Sequence, residues 1–446
     1  MVSGAEDQVA ANRGHIGLTV LGSIALGLAI GVALCFGVFG GSEEATITGA
    51  ALLALGCGML TLFLVARRLT DQPQPWALAP GVGVGLAGLA LLILTPGDRV
   101  LRWLGWLWPL LLALVVIWSV RGARRSLHNW SRRALLYPAS VVLGLVAVGG
   151  AYETVAAAAS SNPPPSTGRT YTVAGHSLYL NCVGSGSPTV ILFNGYQERT
   201  PSWAWVQPEV ARETRVCAFD RAGQGWSGEG VGSQDAHELS DDVQALLAAA
   251  RVPSPCVVAG HSVGGVYALA YAMDFPSDAA GVALIDSSTP YQFDLPDYPG
   301  FYALWRRVQA TLPSLARAGI ARLSLGRGGS LPPDARRSAQ RFAASPRELR
   351  ADRVEFAELR TVFEQTKELR SLGNKPLYVL SAGTGSQAGW APAQSKLAAL
   401  SSNAVQRTVA DATHAAFLDD KRFAGASSQA IRAVVRAVRA RTSVQR

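Results

Sequence analysis

The chain has 446 residues, a formal net charge of +9 and a hydrophobic fraction of 49%. This length exceeds that of a typical single domain, so we expect more than one. The basic residues are spread over loops and the C-terminal half, and no run of them is long enough for a nucleic-acid-binding tail. No signature of a nucleic-acid-binding module is present either, so nucleic acid is not an expected partner.

Five apolar stretches near the N-terminus are long enough to cross a lipid bilayer. The loops between them are short, so each helix would be apolar all round, which a soluble core does not allow. We therefore predict an all-α transmembrane bundle of about five helices over residues 1–159, with the bilayer as its partner. The predicted spans are 16–40, 45–66, 76–95, 103–120 and 134–152.

Arginines in the connecting loops predict the orientation of this bundle. The N-terminal arm and the second and fourth loops carry eight arginines, including Arg13, Arg132 and Arg133, whereas the first and third loops carry two. The positive-inside bias places the N-terminus in the cytoplasm. Five crossings then put the rest of the chain outside, in a multi-pass protein of the cell membrane. Because the spans lack charged residues in their interiors, an anchor or packing scaffold is favoured over a transporter.

A Pro/Ser-rich linker at 160–169 separates this region from a different pattern that begins at residue 170. There, short apolar runs alternate with helical patterns, which predicts a mainly parallel sheet covered by helices on both faces. The predicted strands are 170–173, 177–183, 189–193, 215–219, 255–259, 281–285, 376–381 and 404–409.

The fifth predicted strand runs into a Gly-x-Ser-x-Gly turn, and a helix pattern of small residues follows. A serine at the tip of such a turn takes a strained backbone conformation, so the residues two positions away must be nearly without side chains. Gly260 and Gly264 meet this requirement around Ser262. The turn aims the hydroxyl at the helix N-terminus, whose N–H groups stabilise an oxyanion. We interpret Ser262 as a nucleophile rather than an incidental serine of a glycine-rich turn.

Four motifs that follow successive strands make residues 170 to about 440 resemble an α/β-hydrolase domain. They are Phe193-Asn194-Gly195, Phe219-Asp220-Arg221-Ala222-Gly223-Gln224-Gly225-Trp226-Ser227, Gly260-His261-Ser262-Val263-Gly264 and Ala412-Thr413-His414. The resemblance implies a mainly parallel eight-stranded sheet with a helical lid, here assigned to residues 287–375 of a hydrolase domain that spans 170–446. The membrane region has no counterpart in the basic fold.

The family order of nucleophile, acid and base directs the search for the other catalytic groups. His414 is the only histidine after Ser262, and it is the predicted base. The usual place for the acid follows the seventh strand, but no Asp or Glu occurs between Lys375 and Asp411. Haloalkane dehalogenases place it after the sixth strand, where this chain has Asp286. We favour Asp286 over a turn-initiating role for that residue, with Asp411 as the fallback acid.

Two backbone N–H groups are expected to form the oxyanion hole: that of Val263, after the nucleophile, and that of Tyr196, in the loop after the third strand. Many relatives have His-Gly where this chain has Asn194-Gly195. We expect Asp220 to bind backbone N–H groups of its own turn and His261 to have a packing or supporting role.

The remaining features concern the lid and the cysteines. The lid has 15 Lys/Arg against 9 Asp/Glu, which we interpret as a solvated helix surface rather than a site for acidic substrates or lipid headgroups. Cys182 and Cys217 fall on strands that are neighbours in the family's sheet order, so a disulfide between them is possible outside the cytoplasm. No metal-ligand spacing is present, and neither a metal nor a cofactor is predicted.

These observations predict a membrane-anchored serine hydrolase that cleaves carboxylic esters, with a small-molecule or lipid-like substrate. Its predicted catalytic residues are Ser262, His414 and Asp286, with Tyr196 and Val263 forming the oxyanion hole. Two alternatives are an acyltransferase on the same fold and a non-catalytic membrane sensor with a hydrolase-like outer domain. No oligomeric state is predicted.

Overall fold

The chain divides into two structural units. The computed structural model describes residues 16–127, 135–159, 162–230, 234–323 and 329–445. The first unit consists of Met1–Ser160 and Arg306–Leu323, and the second of Ser161–Trp305 and Ser324–Arg446. Three of the arginines used to predict the orientation lie outside the described residues: Arg13, Arg132 and Arg133. The first two residues of the predicted linker lie outside them as well.

The first unit is built of apolar helices. They are α1 (Ile16–Val32, continued by a π-helical turn Ala33–Val38), α2 (Glu44–Leu69), α3 (Leu78–Leu94), α4 (Asp98–Leu104), α5 (Trp108–Ser126) and α6 (Tyr137–Ala159). Within the described part of the chain, four helical stretches are long and apolar enough to cross a membrane. These are Ile16–Val38, Glu44–Leu69, Pro75–Leu94 and Tyr137–Ala159, and the bent pair α4–α5 makes a fifth if it forms one span.

The prediction of one continuous span at 103–120 is corrected by the structure. α4 ends at Leu104, α5 begins at Trp108, and the two helices are bent by 46°. Pro109 lies in the first turn of α5, where its missing N–H leaves no helical hydrogen bond unmade. The hydropathy of the stretch is continuous across the bend, so the apolar pattern alone did not reveal it.

Glycines allow the first three spans to pack closely. A Cβ atom on Gly56 of α2 would lie 2.7 Å from the Cα atom of Gly85 in α3. A Cβ atom on Gly27 of α1 would lie 3.3 Å from the carbonyl oxygen of Ala54. Small residues at such crossings bring helix backbones together where apolar burial gives no advantage over lipid.

Part of the predicted lid belongs to the first unit. The lid was predicted as a single segment, 287–375, of the hydrolase domain, but Arg306–Leu323 packs with the apolar helices. Arg317 forms ion pairs with Glu44, at the start of α2, and with Asp98, at the start of α4. These long-range charge pairs cannot be inferred from the local pattern.

The second unit contains an eight-stranded sheet. Its strands are β1 (Gly168–Val173), β2 (His176–Val183), β3 (Val190–Phe193), β4 (Val216–Asp220), β5 (Cys256–His261), β6 (Ala279–Ile285), β7 (Leu377–Ala382) and β8 (Ala404–Val409). Their order across the sheet is β1-β2-β4-β3-β5-β6-β7-β8. The pairs β1–β2 and β2–β4 are antiparallel, and the other neighbours are parallel. The predicted, mainly parallel sheet is confirmed.

The remaining helices belong wholly or partly to the second unit. They are α7 (Val206–Ala211), α8 (Ala236–Ala249), α9 (Val263–Asp274), α10 (Tyr298–Arg317), α11 (Pro333–Ala344), α12 (Pro346–Thr366), α13 (Trp390–Ala398), α14 (Ala416–Asp419) and α15 (Lys421–Ala440). α10 begins in the second unit and ends in the first.

Alternate residues of the central strands pack into two separate hydrophobic cores. In β3, Ile191 packs in the core that contains α8, α9 and α12, whereas Leu192 packs in the core that contains α7 and α15. Side chains alternate across a strand, so a strand covered on both faces is apolar throughout. Burying each large aliphatic side chain contributes about 1.5–3 kcal/mol. The sheet therefore forms a rigid base for the loops at its carboxyl edge.

A disulfide joins two neighbouring strands of the sheet, β2 and β4. Cys182 of β2 lies directly opposite Cys217 of β4, and the two sulfur atoms are bonded. The bridge closes a loop with a sequence separation of 35 residues. Such a covalent link restricts the unfolded chain and stabilises the folded state by about 3–4 kcal/mol.

We expect the double substitution Cys182→Ala, Cys217→Ala to lower the thermal unfolding midpoint of the full-length protein. Reducing agent should lower the midpoint of the wild type in the same way, because both treatments remove the restriction on the unfolded chain. The double variant is the control, since reducing agent should leave its midpoint unchanged. A wild-type midpoint that does not respond to reduction would contradict the stabilising role of the bridge.

Candidate active site

Ser262 lies on the sharp turn between β5 and α9. Its backbone has φ 55° and ψ −129°, a conformation that non-glycine residues rarely adopt and that costs about 1–3 kcal/mol. A Cβ atom on Gly260 would overlap the carbonyl of Gly264, and one on Gly264 would overlap the carbonyl oxygen of Phe193. The two glycines therefore permit the turn, as the sequence pattern indicates.

The structure brings together His414, in the loop after β8, and Asp286, immediately after β6. Nδ1–H of His414 donates to Oδ2 of Asp286 at 2.6 Å. The other carboxylate oxygen, Oδ1, accepts from the backbone N–H of Ala382 at 2.9 Å and from Nε1–H of Trp390 at 3.1 Å. Asp286 is 2% exposed. Three donors thus fix the orientation of one buried carboxylate.

These contacts also set the charge of Asp286. Burial alone would raise the pKa of this carboxyl, but the hydrogen bond and charge of His414 and the backbone N–H of Ala382 lower it below its usual value. An ionised carboxylate at Oδ2 requires the proton on Nδ1 of His414. Nε2 of that ring is then the atom that can accept a proton.

Asp411, the fallback acid, lies exposed in the same loop as His414. In the part of the chain that the structure describes, no hydrogen bond joins the two residues, and Nδ1 of His414 is already bound to Asp286. The arrangement supports Asp286 as the orienting acid.

Ser262 and His414 are not hydrogen-bonded in this structure. Among the described residues, Oγ of Ser262 makes no hydrogen bond within 3.5 Å. The imidazole of His414 is nevertheless held beside the turn, because its ring centroid lies 4.5 Å from that of His261, the residue before the nucleophile. The side chain of His414 is 49% exposed. Catalytic hydrogen bonds are often long in unliganded enzymes and shorten when substrate binds.

The loop after β3 contacts the N-terminus of α9. A Cβ atom on Gly264 would lie 2.6 Å from the carbonyl oxygen of Asn194, so the two backbones are in close contact. Tyr196 is in this loop, and Val263 is the first residue of α9. The first N–H groups of a helix have no partner within it and are suited to bind an oxyanion. The two predicted oxyanion-hole residues therefore lie on adjoining segments.

Asn194 departs from the common family pattern. Both the nitrogen and the oxygen of its side-chain amide form hydrogen bonds. Nδ2–H donates to the carbonyl of Phe219 at 2.7 Å, and Oδ1 accepts from Nε1–H of Trp203 at 2.8 Å. The side chain is completely buried. Asn194 thus ties the loop after β3 to the end of β4.

Arg221 is a residue of this site that the sequence analysis did not identify. Its guanidinium donates to the carbonyl oxygens of Asn194 at 2.5 Å and Gly195 at 3.0 Å. It also pairs with Glu355 of α12, with 2.6 Å between Nη2 and Oε1. Arg221 therefore connects the lid to the backbone just before Tyr196. No local sequence signal identifies the pair, because its members are 134 residues apart.

Asp220, beside Arg221, has the structural role predicted for it. Its Oδ1 accepts from the backbone N–H of Thr200 at 2.7 Å, and Oδ2 accepts from that of Trp226 at 3.1 Å. The carboxylate is completely buried, and it binds the backbone of two turns rather than Ser262.

Glu198 and His261 form a second acid–histidine pair, next to His414. Nδ1 of His261 lies 2.5 Å from Oε1 of Glu198, and Nε2 lies 3.0 Å from the carbonyl oxygen of His414. A packing or supporting role was predicted for His261, whereas no local pattern pointed to Glu198. In the described residues, no group of three or more His, Cys, Asp or Glu side chains has an arrangement that holds a metal ion.

Comparison with known proteins agrees with this architecture. The sequence profile of the alpha/beta hydrolase fold family matches residues 188–421. The chain therefore belongs to the alpha/beta hydrolase fold family.

Individual relatives are more distant. The chain is 29% identical over 124 residues to a pimeloyl-acyl-carrier-protein methyl ester esterase of Sodalis glossinidius, a match that covers 28% of this chain and 46% of that protein. It is 30% identical over 118 residues to a fluoroacetate dehalogenase of a Burkholderia species, over 25% of this chain and 38% of that protein. The chain thus spans less than half the length of these curated relatives.

Among solved structures, a thermophilic esterase from Thermogutta terrifontis is similar to this chain. Its TM-score is 0.47 at 22% sequence identity, and the match covers 60% of this chain and 97% of that one.

Proposed function

We propose that the protein is a membrane-anchored serine hydrolase that cleaves carboxylic esters through an acyl-serine intermediate. The observation that carries this proposal is the Asp286–His414 pair, held at the carboxyl edge of the sheet beside the strained Ser262 turn. A nucleophile, a base and an orienting acid are the groups that acyl transfer requires.

In the first half of the reaction, Oγ of Ser262 attacks the ester carbonyl while Nε2 of His414 takes the hydroxyl proton. The carbonyl oxygen becomes an oxyanion, which the N–H groups of Val263 and Tyr196 stabilise. The carbon–oxygen bond to the alcohol then breaks, and His414 returns the proton to the leaving oxygen. The acyl group remains on Ser262.

In the second half, a water molecule attacks the acyl-serine and gives its proton to His414. The second tetrahedral intermediate collapses, the acid departs, and Ser262 regains its proton from His414. Asp286 stays ionised throughout, stabilising the imidazolium that forms in each half and keeping Nε2 directed outward.

Several features support a location of this hydrolase unit outside the cytoplasm. The loop arginines favour a cytoplasmic N-terminus, and the disulfide between Cys182 and Cys217 is typical of an oxidising compartment. The acidic residues Glu44, Asp98 and Glu153, at or near the ends of apolar helices, all pair with the segment Arg306–Leu323. These helix ends then belong to one side of the membrane, as five crossings require.

A membrane location favours a lipid-like ester as the substrate, and the esterase named among the relatives favours an ester bond. Transfer of the acyl group to an alcohol other than water is the alternative on the same fold. Product analysis in the presence of a competing alcohol separates the two, because a transferase forms the new ester in preference to the free acid.

The test of the proposal uses the full-length protein in detergent. We expect a fluorophosphonate probe to label it and acyl esters of graded chain length to be hydrolysed, with the preferred length indicating the substrate class. A folded protein that neither reacts with the probe nor cleaves any ester would overturn the proposal in favour of a membrane sensor that only binds a ligand.

A further prediction concerns the hydrogen bonds from Arg221 to the loop after β3. We expect Arg221→Lys to lower kcat by about 10- to 100-fold with a smaller change in KM, because one ammonium cannot hold both carbonyls and Glu355 in the same geometry. Steady-state kinetics measure the effect. Arg212→Lys, in an exposed ion pair with Glu209, is the control. Equal kinetics for both variants would contradict the role of Arg221.

A further inference from the structure

The side chain of His261 is enclosed between three loops of the active site. It is the last residue of β5 and is 1% exposed. One ring nitrogen faces the carboxylate of Glu198, in the loop after β3, and the other faces the backbone carbonyl of His414, in the loop after β8. The backbone of His261 leads directly into Ser262. This one ring therefore contacts the loops that carry the predicted oxyanion hole, base and nucleophile.

The partners of the ring determine where its protons are. A carbonyl oxygen only accepts hydrogen bonds, so Nε2 must carry a proton to bind the carbonyl of His414. Nδ1 and Oε1 of Glu198 are 2.5 Å apart and share a second proton. Burial alone would lower the pKa of His261, but the charge and hydrogen bond of Glu198 raise it above its usual value. The same pairing lowers the pKa of Glu198, against the effect of its burial, so the proton belongs to the ring.

Glu198 extends this connection to the backbone of the loop after β3, which contains Tyr196 and is called the oxyanion loop below. Its second oxygen, Oε2, accepts from the backbone N–H of Gly195 at 2.6 Å. Gly195 immediately precedes Tyr196, whose N–H is one of the two proposed oxyanion donors. An ionised Glu198 thus binds the oxyanion loop with one oxygen and the imidazolium with the other.

We propose that His261, as an imidazolium paired with Glu198, is a positioning residue that holds the His414 loop and the oxyanion loop in register with Ser262. The proposal rests on the proposed function, because it assigns these loops their catalytic roles. The ring centroid of His414 is 4.5 Å from that of His261, so the positioning ring lies directly against the ring of the proposed base.

Other charged groups act on the same ring. Asp286 and Asp419 interact with His261 electrostatically, in addition to Glu198 and His414. Both carboxylates attract the positive charge and favour the protonated ring.

The first experiment compares His261→Gln with wild type and with His237→Gln. His237 also pairs with an acid, Asp274, but it is partly exposed and belongs to no loop of the site. We expect His261→Gln to lower kcat by about 10- to 100-fold with little change in KM. His237→Gln should alter neither. A His261→Gln enzyme with the wild-type kcat would overturn the proposal.

Glu198→Gln tests the pairing. It removes the acid and releases the proton from His261, so the neutral pair should also lower kcat with little change in KM. The double variant should be no slower than the slower single variant, because both substitutions break one connection. Effects that multiply would show that the two residues act separately and would contradict the proposal.

A measurement without catalysis separates this proposal from the proposed function. In wild-type protein labelled with 15N-histidine, we expect one buried ring with both nitrogens protonated at neutral pH, and we expect Glu198→Gln to remove that signal. A neutral His261 ring in the wild type would overturn the proposal even if esters are hydrolysed. An imidazolium in a protein that hydrolyses no ester would instead count against the proposed function alone. Because this test uses the wild type, it stands even if His261→Gln does not fold.

Discussion

Replacing Ser262 with Ala is expected to reduce ester hydrolysis by about a million-fold and to abolish labelling by a fluorophosphonate. The substitution removes the only atom proposed to bond to the acyl carbon. Alanine keeps the Cβ atom and is subject to the same backbone strain at φ 55°, so the turn and the thermal unfolding midpoint should be little changed. Initial rates and gel-based labelling measure both effects.

The matched control for this prediction is Ser395→Ala. Ser395 is an exposed serine of α13 whose hydroxyl binds only the helix backbone, at the carbonyl of Ala391. It should retain wild-type activity and labelling. Substantial hydrolysis by a folded Ser262→Ala variant would mean that another group is the nucleophile, or that water is activated directly.

Asp286→Asn is expected to lower kcat by about ten thousand-fold while the fold is retained. The backbone of Asp286 has φ 40°, which asparagine tolerates better than most residues. The amide oxygen can still accept from Ala382 and Trp390, but the amide NH2 then faces Nδ1 of His414. That nitrogen must become the acceptor, so the proton moves to Nε2 and the base can no longer take a proton from Ser262.

Asp411→Asn is the control for the acid. Asp411 is exposed and lies in the same loop as His414, so its substitution should leave kcat within a few-fold of wild type. Near-normal activity in Asp286→Asn, combined with a large loss in Asp411→Asn, would reassign the orienting acid.

The sequence predicted the features that depend on local patterns. The apolar runs indicated all eight strands to within two residues at each end, and the glycines around Ser262 indicated the turn. Asp286 was identified from its position directly after the sixth strand, because the loop after the seventh strand contains no Asp or Glu. Each of these features is encoded by neighbouring residues or by the order of elements along the chain.

The features that the sequence analysis missed depend on contacts between distant segments. The acidic residues Glu348, Asp352 and Glu355 of α12 lie at helical spacing. In a basic lid, such a pattern is typical of a solvent-exposed helix face. The structure buries them, with Arg199 pairing with the first two and Arg221 with the third. A buried ion pair is stable only when both partners are present, and neither partner alone reveals it.

The membrane region shows the same distinction. Hydropathy predicted the apolar helices well but not the bend between α4 and α5, because the apolar run that begins at Trp103 continues through the bend. The segment Arg306–Leu323 belongs to the first unit and forms ion pairs there with Glu44, Asp98 and Glu153. These partners are more than a hundred residues away along the chain.

The central claim is that Ser262 becomes covalently bonded to the acyl group, with His414 as its base. Mass spectrometry of peptides from fluorophosphonate-treated full-length protein tests this claim most directly. We expect a single adduct on the peptide that contains Ser262, formed much more slowly in His414→Ala. An adduct on a different residue, or unmodified Ser262 in a protein that the probe has fully inactivated, would contradict the account.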